Sequence, residues 1–369
     1  MGVGDLSEAR EVRRLFEGRK LRVVRELRGL SQKALADAAT VSPAAVGQFE
    51  KGRSTPNART LLALAEVLCF PIAYFRGDVA DSQREVPAFF RSLRSANTRE
   101  LREARAFAEI VRDFTLELEA RIEMPALDIP RMPAGDGQVS RDDIETIAAK
   151  VRELWSLSPV EPIDDVVNEL ERHGAVVTRA QFETEKIDAF SVAFSDRPVV
   201  VLCSDKGLRD RSRFDAAHEL GHLVMHEPVV VGTRTAEKQA DQFAAAFLMP
   251  EVGIIRFLPD RLELSALMAL KKRWGVSMAS LLYRARTLGV MSEEAYIQAV
   301  KAMSARGWRT REPEPLGPPE SPQLLFKAVA ILRDNGVSED DLVTLTCLPV
   351  DQVQRICTST APTRPKVVL

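Results

Sequence analysis

Three of the chain's four histidines fall within residues 218–226. Two of them, His218 and His222, enclose Glu219 in the spacing His-Glu-x-x-His. Residues four apart in a helix lie one above the other on the same face. Two imidazoles at this spacing can bind one Zn²⁺ while the glutamate takes a proton from water. A chance match on a buried core helix is the alternative interpretation, but histidine is so rare in this chain that the spacing favours a metal site.

The residues around this motif have the composition of a helix. The stretch lacks proline, and apolar residues recur in it at three- and four-residue spacing, namely Phe214, Ala217, Gly221 and Val224. A glycine inside a helix costs about 1 kcal/mol relative to alanine. Gly221 therefore indicates that another element approaches the helix backbone closely at this point.

A zinc site of this kind needs a third protein ligand and one open coordination position. A second helix is predicted over 235–249, and it carries Glu237 and Asp241 one turn apart on one face. Either carboxylate could reach the histidine pair, although acidic residues are also favoured in a helix's first turn by its dipole. His226 lies one turn beyond His222 and is interpreted as the partner of a ligand or as a substrate contact. The residues alone leave the choice of carboxylate open.

The two motifs together resemble those of the ImmA/IrrE metallopeptidase family. The first is Arg-Phe-x-x-Ala-His-Glu-Leu-Gly-His at 213–222, and the second is Glu-x-x-Ala-Asp-x-Phe-Ala-x-x-Phe-Leu-Met-Pro at 237–250. The resemblance covers about residues 145–300. The family often has Asn and Leu where this chain has Asp241 and Phe247, and neither position is an implied ligand.

The resemblance implies roles for four residues of this chain. His218, His222 and Glu237 would bind one Zn²⁺ per chain, and Glu219 would be the general base. It also implies protein substrates, often helix-turn-helix repressors whose cleavage switches transcription.

The N-terminal part of the chain has a different charge from the rest. Residues 1–80 contain 13 Lys and Arg against 9 Asp and Glu, whereas the whole chain has a net charge of −2. A basic module on an acidic body is typical of a nucleic-acid-binding protein. A basic amphipathic helix is predicted over 12–28, and Ser31 and Ser42 are predicted to cap two short helices joined by a tight turn. That arrangement within a small helical bundle is a helix-turn-helix.

Residues 15–75 resemble the XRE (Cro/repressor-like) DNA-binding domain, through Leu-Ser-Gln-x-x-Leu-Ala at 30–36 and Phe-Glu-Lys-Gly-Arg at 49–53. The candidate DNA-contacting residues are Gln32, Lys33, Ser42, Pro43, Ala44, Gln48, Lys51 and Arg53. The resemblance implies that Gln48 lies on the groove-facing side, where its amide can read adenine through two hydrogen bonds. The basic side chains are available to phosphates. The alternative interpretation is a helical protein-interaction module with a solvated basic face.

We expect an α+β fold that is mostly α. The peptidase-like part should contain a small antiparallel sheet, with strands predicted at 175–178, 188–194 and 198–203. The expected division is a helix-turn-helix domain (1–80), a long helix and linker (81–140), a metallopeptidase domain (141–308), a Pro-rich linker without a core (309–322) and a small helical element with a disordered tail (323–369).

The long helix predicted within 94–124 carries an apolar stripe formed by Leu101, Ala104, Ala108, Val111, Leu118 and Ile122. This stripe favours either packing within the chain or the seam of a homodimer on a paired operator.

The composition is that of an ordinary soluble protein, with 45% hydrophobic and 28% charged residues. The four cysteines form no Cys-x-x-Cys pair, which favours free thiols in a reducing cytoplasm. The N-terminus lacks the apolar core of a signal peptide, and we expect no membrane span. The sequence thus predicts a cytoplasmic, DNA-binding transcriptional regulator with zinc-dependent endopeptidase activity. The alternative is a DNA-binding sensor whose metal domain regulates without turnover.

Overall fold

The computed structural model describes most of the chain. The described residues are 5–77, the backbone of 88–90, 97–133, 139–182, 187–203, 208–226, 233–309 and 311–357. The tail at 358–369, predicted to be disordered, lies outside them. Within the described ranges, no helix combines the length and the apolar character that crossing a membrane requires.

Helices dominate the described residues. The α-helices are α1 (Leu6–Arg14), α2 (Gly18–Leu27), α3 (Gln32–Ala38), α4 (Pro43–Glu50), α5 (Ala58–Leu68), α6 (Thr98–Glu119), α7 (Arg141–Leu154), α8 (Val166–Arg172), α9 (Arg209–Met225), α10 (Arg234–Leu248), α11 (Glu251–Ile254), α12 (Leu264–Trp274), α13 (Met278–Thr287), α14 (Glu293–Ala305), α15 (Leu324–Asp334), α16 (Glu339–Thr346) and α17 (Val350–Cys357). Short 3₁₀ helices lie at Ile72–Phe75 and Ile255–Phe257. The strands are β1 (Ala88–Phe90), β2 (Val176–Ala180), β3 (Ala189–Ala193) and β4 (Pro198–Cys203). The predicted mostly helical α+β fold is confirmed.

The strands form one sheet in the order β1-β3-β4-β2. β3 pairs antiparallel with both β1 and β4, whereas β2 and β4 run parallel. The sheet is therefore mixed, and the prediction of an antiparallel sheet was wrong for this pair. The reason is topological. β3 and β4 form a hairpin whose second strand inserts beside β2, so β4 takes the direction of β2.

The basic helix predicted over 12–28 is two helices, α1 and α2, separated at residues 15–17. Backbone hydrogen bonds to a distant segment hold the break. Glu17 N donates to Phe75 O at 2.9 Å, and Gly77 N donates to Leu15 O at 2.8 Å. The end of the bundle thus closes back onto its beginning, and this pairing replaces the helical hydrogen bonds that the local sequence would favour.

The two short helices of the predicted helix-turn-helix are α3 and α4. Ser31 Oγ accepts a hydrogen bond from Ala34 N at 3.0 Å, and Ser42 Oγ accepts one from Ala45 N at 3.1 Å. Both predicted caps are confirmed. Pro43 occupies the first turn of α4, where a missing N–H group costs nothing.

The long helix α6 packs within the chain. It lies against α2 of the N-terminal bundle and against β4, α15 and α16. Four positions of its apolar stripe are fully buried, namely Ala104, Ala108, Val111 and Leu118. Packing within the chain is therefore the correct interpretation of this stripe, which is not available as a dimer seam. A homodimer stays a prediction to which this stripe gives no support.

The segment predicted as a Pro-rich linker without a core, 309–322, is anchored to the metal-motif helix. The side chain of Glu320 is 1% exposed and forms an ion pair with Arg213 of α9. Its carboxylate also accepts from Val166 N at 2.9 Å and Val167 N at 3.2 Å, at the start of α8. A buried carboxylate at a helix N-terminus satisfies otherwise unpaired N–H groups. The segment therefore contributes to the core.

A second buried glutamate makes the reciprocal contact. Glu171, near the end of α8, accepts from Gln323 N at 2.9 Å and Leu324 N at 3.0 Å, where α15 begins. Burial raises the pKa of the Glu171 carboxyl to about 7, and nearby Asp165 adds to the rise. The two backbone donors and Lys327 oppose it. Glu320, in the segment before α15, thus accepts from the N-terminus of α8, and Glu171, near the end of α8, accepts from the N-terminus of α15.

We expect stability to depend on pH through Glu171. Its carboxyl should be protonated in the folded state below about pH 7 but in the unfolded chain only below about 4.5. The stability that it contributes is fully present below pH 4.5 and is lost as pH rises through 7. Between pH 5 and 8, the unfolding free energy of the wild type should fall relative to Glu171→Gln by about 2–3 kcal/mol.

Urea denaturation at pH 5, 6, 7 and 8 measures this difference. Glu153→Gln, a substitution on the exposed surface of α7, is the matched control and should keep the pH dependence of the wild type. A constant difference between wild type and Glu171→Gln across this range would contradict the assignment.

Candidate metal centre and DNA-binding surface

The helices α9 and α10 pack side by side and place the chemistry of both motifs together. Their approach is close at Gly221, where a Cβ atom would lie 3.0 Å from Cδ1 of Phe243. Ordinary Cβ contacts are longer, so a side chain at this position would require Phe243 to move by a few tenths of an ångström. The close approach predicted from Gly221 is confirmed, and it brings the first turns of α10 beside the histidine pair.

The structure brings the three predicted ligands together. The Nε2 atoms of His218 and His222 are 3.0 Å apart, and the Glu237 carboxylate oxygens lie 3.6 Å from the first and 3.5 Å from the second. All three ligating groups fall within 4.8 Å of one another.

These spacings fit a zinc ion. Atoms bound at about 2.0–2.1 Å to a tetrahedral zinc lie about 3.3 Å from each other. Glu237 Oε1 is buried and accepts no hydrogen bond from the part of the chain that the structure describes. A buried carboxylate oxygen needs a partner, and a cation among these three groups would supply one.

Asp241 lies outside this cluster and holds one of its histidines. Asp241 Oδ1 is 2.8 Å from His218 Nδ1. An ionised carboxylate can only accept a hydrogen bond, so the proton of the neutral imidazole lies on Nδ1 and Nε2 carries the lone pair. Of the two carboxylates that the sequence left open, the geometry favours Glu237 as the ligand and Asp241 as the residue that orients His218.

His226 and Gln239 hold the other histidine in the same way. The Nε2 atom of His226 lies 3.0 Å from Gln239 Oε1, an acceptor, so Nε2 carries the proton. Burial lowers the pKa of His226 and favours its neutral form. Its Nδ1 then accepts from His222 Nδ1 at 2.9 Å, which leaves His222 Nε2 with a lone pair. His226 therefore orients the candidate ligand His222, which is one of the two roles that the sequence predicts for it.

Glu219 is oriented from the sheet. Its side chain is completely buried, and Ser191 Oγ of β3 donates to Glu219 Oε2 at 2.7 Å. No sequence motif predicts a role for Ser191 or Gln239. Ser191 lies in a predicted strand and carries no motif, so only the packing of β3 against α9 identifies it. Gln239 could have been found, because it lies on the predicted ligand helix between Glu237 and Asp241.

Most of the candidate DNA-contacting residues are exposed and lie on or next to α3 and α4. The exposed ones are Lys33, Ser42, Pro43, Ala44, Gln48, Lys51 and Arg53. Gln32 differs from them because it is partly buried and its Nε2 donates to Glu50 Oε2 at 2.7 Å. Arg25 also binds Glu50, with Nη2 donating at 3.0 Å. The Gln32 side chain is thus held against the bundle at the C-terminal end of α4.

A helix-turn-helix bundle and a cluster of two histidines and a glutamate therefore occur in one chain. Residues 21–75 match the family model described as Helix-turn-helix, and residues 170–286 match the one described as IrrE N-terminal-like domain, an M78 peptidase model. Both resemblances noted in the sequence are confirmed. No curated protein matches the chain.

We expect one zinc per chain, bound through both histidines and Glu237. His222→Ala should lose the metal, because two remaining ligands hold the ion poorly. Glu237→Gln should weaken binding less, since an amide oxygen remains a poor donor. Asp241→Asn should lower zinc affinity by about 10–100-fold through the orientation of His218.

Metal analysis of the purified variants, followed by chelator competition, measures these effects. Glu251→Gln, on the exposed surface of α11, is the control and should bind zinc normally. Stoichiometric zinc in His222→Ala would refute the ligand set. A greater loss in Asp241→Asn than in Glu237→Gln would exchange the roles of the two carboxylates.

Proposed function

We propose that the chain is a DNA-binding transcriptional regulator with a zinc-dependent endopeptidase domain. The observation that carries this proposal is the convergence of two unprotonated imidazole nitrogens and the Glu237 carboxylate beside the buried Glu219. Its substrate would be a protein, such as a helix-turn-helix repressor whose cleavage switches transcription. A cytoplasmic location belongs to the same proposal, since a DNA-binding domain and free cysteines suit a reducing compartment that contains DNA.

His218, His222 and Glu237 would hold the zinc ion. Bound there, zinc would supply the Lewis acidity that lowers the pKa of a water molecule and polarises a peptide carbonyl. Asp241 and His226 would keep the protons of the two imidazoles on the nitrogens that face away from the ion. The lone pairs are thus directed before any metal arrives, which lowers the cost of forming the site.

Glu219 would act as the general base. One of its oxygens accepts from Ser191, which fixes the carboxylate against β3. The carboxylate would take a proton from the attacking water and return it to the amine that leaves when the peptide C–N bond breaks. It projects from the same helix as both histidines, and a side chain on that turn can reach water at the open position without serving as a ligand.

A specific observation favours a second candidate, a sensor without turnover. The side chains of His218, Glu219 and His222 are each 0% exposed, so a peptide cannot reach them while the chain stays as it is. In that alternative, zinc occupancy would regulate DNA binding and Glu219 would only support the fold.

Glu219→Gln distinguishes the two candidates. It removes the base and leaves all three proposed ligands, so zinc content and folding should persist. If the chain is a peptidase, cleavage of proteins encoded beside it should fall by about 10²-fold or more, a usual general-base contribution. Glu251→Gln should cleave normally. Normal promoter regulation in cells by Glu219→Gln would favour the sensor.

We expect the full-length chain to bind duplex DNA with an affinity that falls steeply as salt rises, because contacts to phosphate dominate. Arg53→Ala should weaken binding to all sequences alike. Gln48→Ala should reduce the preference for the cognate site by about 1–3 kcal/mol. Titration of labelled duplexes at several salt concentrations measures both effects. One of the duplexes should be the DNA upstream of the sequence that encodes this chain. No binding to any duplex at low salt would reject the DNA-binding role.

A further inference from the structure

The strand β3 is the part of the sheet that reaches the candidate metal centre. It packs against α9, and Ser191 in its middle binds Glu219. Among strands β2 to β4, β3 is one of the two terminal strands, because β4 lies between it and β2. A terminal strand presents a row of backbone N–H and C=O groups to which an extended peptide can add. A substrate bound there would lie beside the proposed general base.

The chain itself occupies that edge. β1 pairs antiparallel with β3, and the register places Ala88 opposite Val192, Phe89 opposite Ser191 and Phe90 opposite Phe190. The centre of β1 therefore lies across from the residue that holds Glu219. β1 is remote in sequence from the other three strands. It lies between the helix-turn-helix bundle, which ends near Gly77, and the start of α6 at Thr98.

The burial of the centre agrees with an occupied edge. His218, Glu219 and His222 are completely buried although they have the chemistry of a site that must meet a peptide bond. Strand addition buries the backbone groups of both strands and needs no particular side-chain sequence. β1 has three residues, fewer than β2, β3 or β4, so its pairing contributes few backbone hydrogen bonds.

We propose that β1 is an intramolecular occupant of the peptide-binding edge. It holds the place of a substrate strand, and an extended peptide from another protein binds beside Glu219 only after β1 has left β3. The inference rests on the proposed function, because it names the segment with which a protein substrate competes. The proposed occupant lies in the connection between the helix-turn-helix bundle and α6, so it links the N-terminal bundle to the metal-centre domain.

A binding experiment that needs no turnover tests this. The full-length chain carrying Glu219→Gln is titrated against a fluorescein-labelled peptide with the sequence of residues 84–94, and anisotropy gives the Kd. Ala88→Pro/Phe89→Pro is then added to the same protein. Neighbouring residues of a strand direct their N–H groups to opposite sides, so the double substitution removes at least one donor from the β1 pairing.

The peptide should bind the Pro-Pro variant at least about tenfold more tightly than it binds the parent. A tethered strand competes at an effective concentration that reaches the millimolar range, and the substitutions remove this competitor. Asp81→Pro/Ser82→Pro places the same two prolines in the connection outside β1 and should bind the peptide like the parent. An unlabelled peptide with prolines at its Ala-Phe positions should not displace the label.

Equal affinity in parent and Pro-Pro variant, or no binding to either, overturns the inference, provided that zinc content and circular dichroism are unchanged. The two proposals fail separately. If the wild type cleaves proteins and the two prolines change neither cleavage nor peptide binding, the peptidase proposal stands and the proposal for β1 fails. Tighter peptide binding by the Pro-Pro variant, with no cleavage by the wild type, leaves this inference as a binding site without turnover.

Discussion

Two imidazole nitrogens, His218 Nε2 and His222 Nε2, face each other at 3.0 Å, and both side chains are completely buried. With the ring protons on Nδ1, both nitrogens present lone pairs, and two lone pairs at this distance repel each other. Asp241 and His226 each accept a hydrogen bond from the far side of one ring, which keeps the protons of His218 and His222 on Nδ1. Close packing at Gly221 keeps the two helices at the distance that these hydrogen bonds need. A cation bound between the two nitrogens and Glu237 would remove this repulsion.

The part of the centre that could be predicted is the part encoded by spacing along a single helix. His218, Glu219 and His222 share one face of α9, so four residues of sequence are enough to place them together. Glu237 lies on another helix, and the choice between it and Asp241 needed either the resemblance or the structure. Ser191 is a strand residue without a motif. Its role depends on how the sheet packs against α9, which no local pattern records.

The same difference between local and long-range interactions decides which parts of the fold the sequence predicts. Caps at Ser31 and Ser42 are local, and the sequence predicts them. The break between α1 and α2 is not local, because it is held by backbone hydrogen bonds to residues 75–77. The segment at 309–322 contains enough proline to indicate a linker, yet Glu320 in it is buried against Arg213. The composition of the segment predicts a linker, but the buried ion pair of Glu320 holds it against the fold. Composition does not show which charged residue will pair with which partner.

The helix α6 contacts both the helix-turn-helix bundle and the sheet that packs against the metal-motif helix. On one side, Arg19 Nη1 of α2 donates to Glu109 at 3.1 Å. On the other, Arg112 Nε donates to Asp196 at 2.7 Å, in the turn that joins β3 to β4. Removing one partner of a buried ion pair costs about 3–5 kcal/mol, so these largely buried contacts resist separation. Through Asp196 the same helix is joined to the β3–β4 hairpin, and β3 carries Ser191, which binds Glu219. The bundle is thus connected to the metal centre by packed structure as well as by the covalent chain.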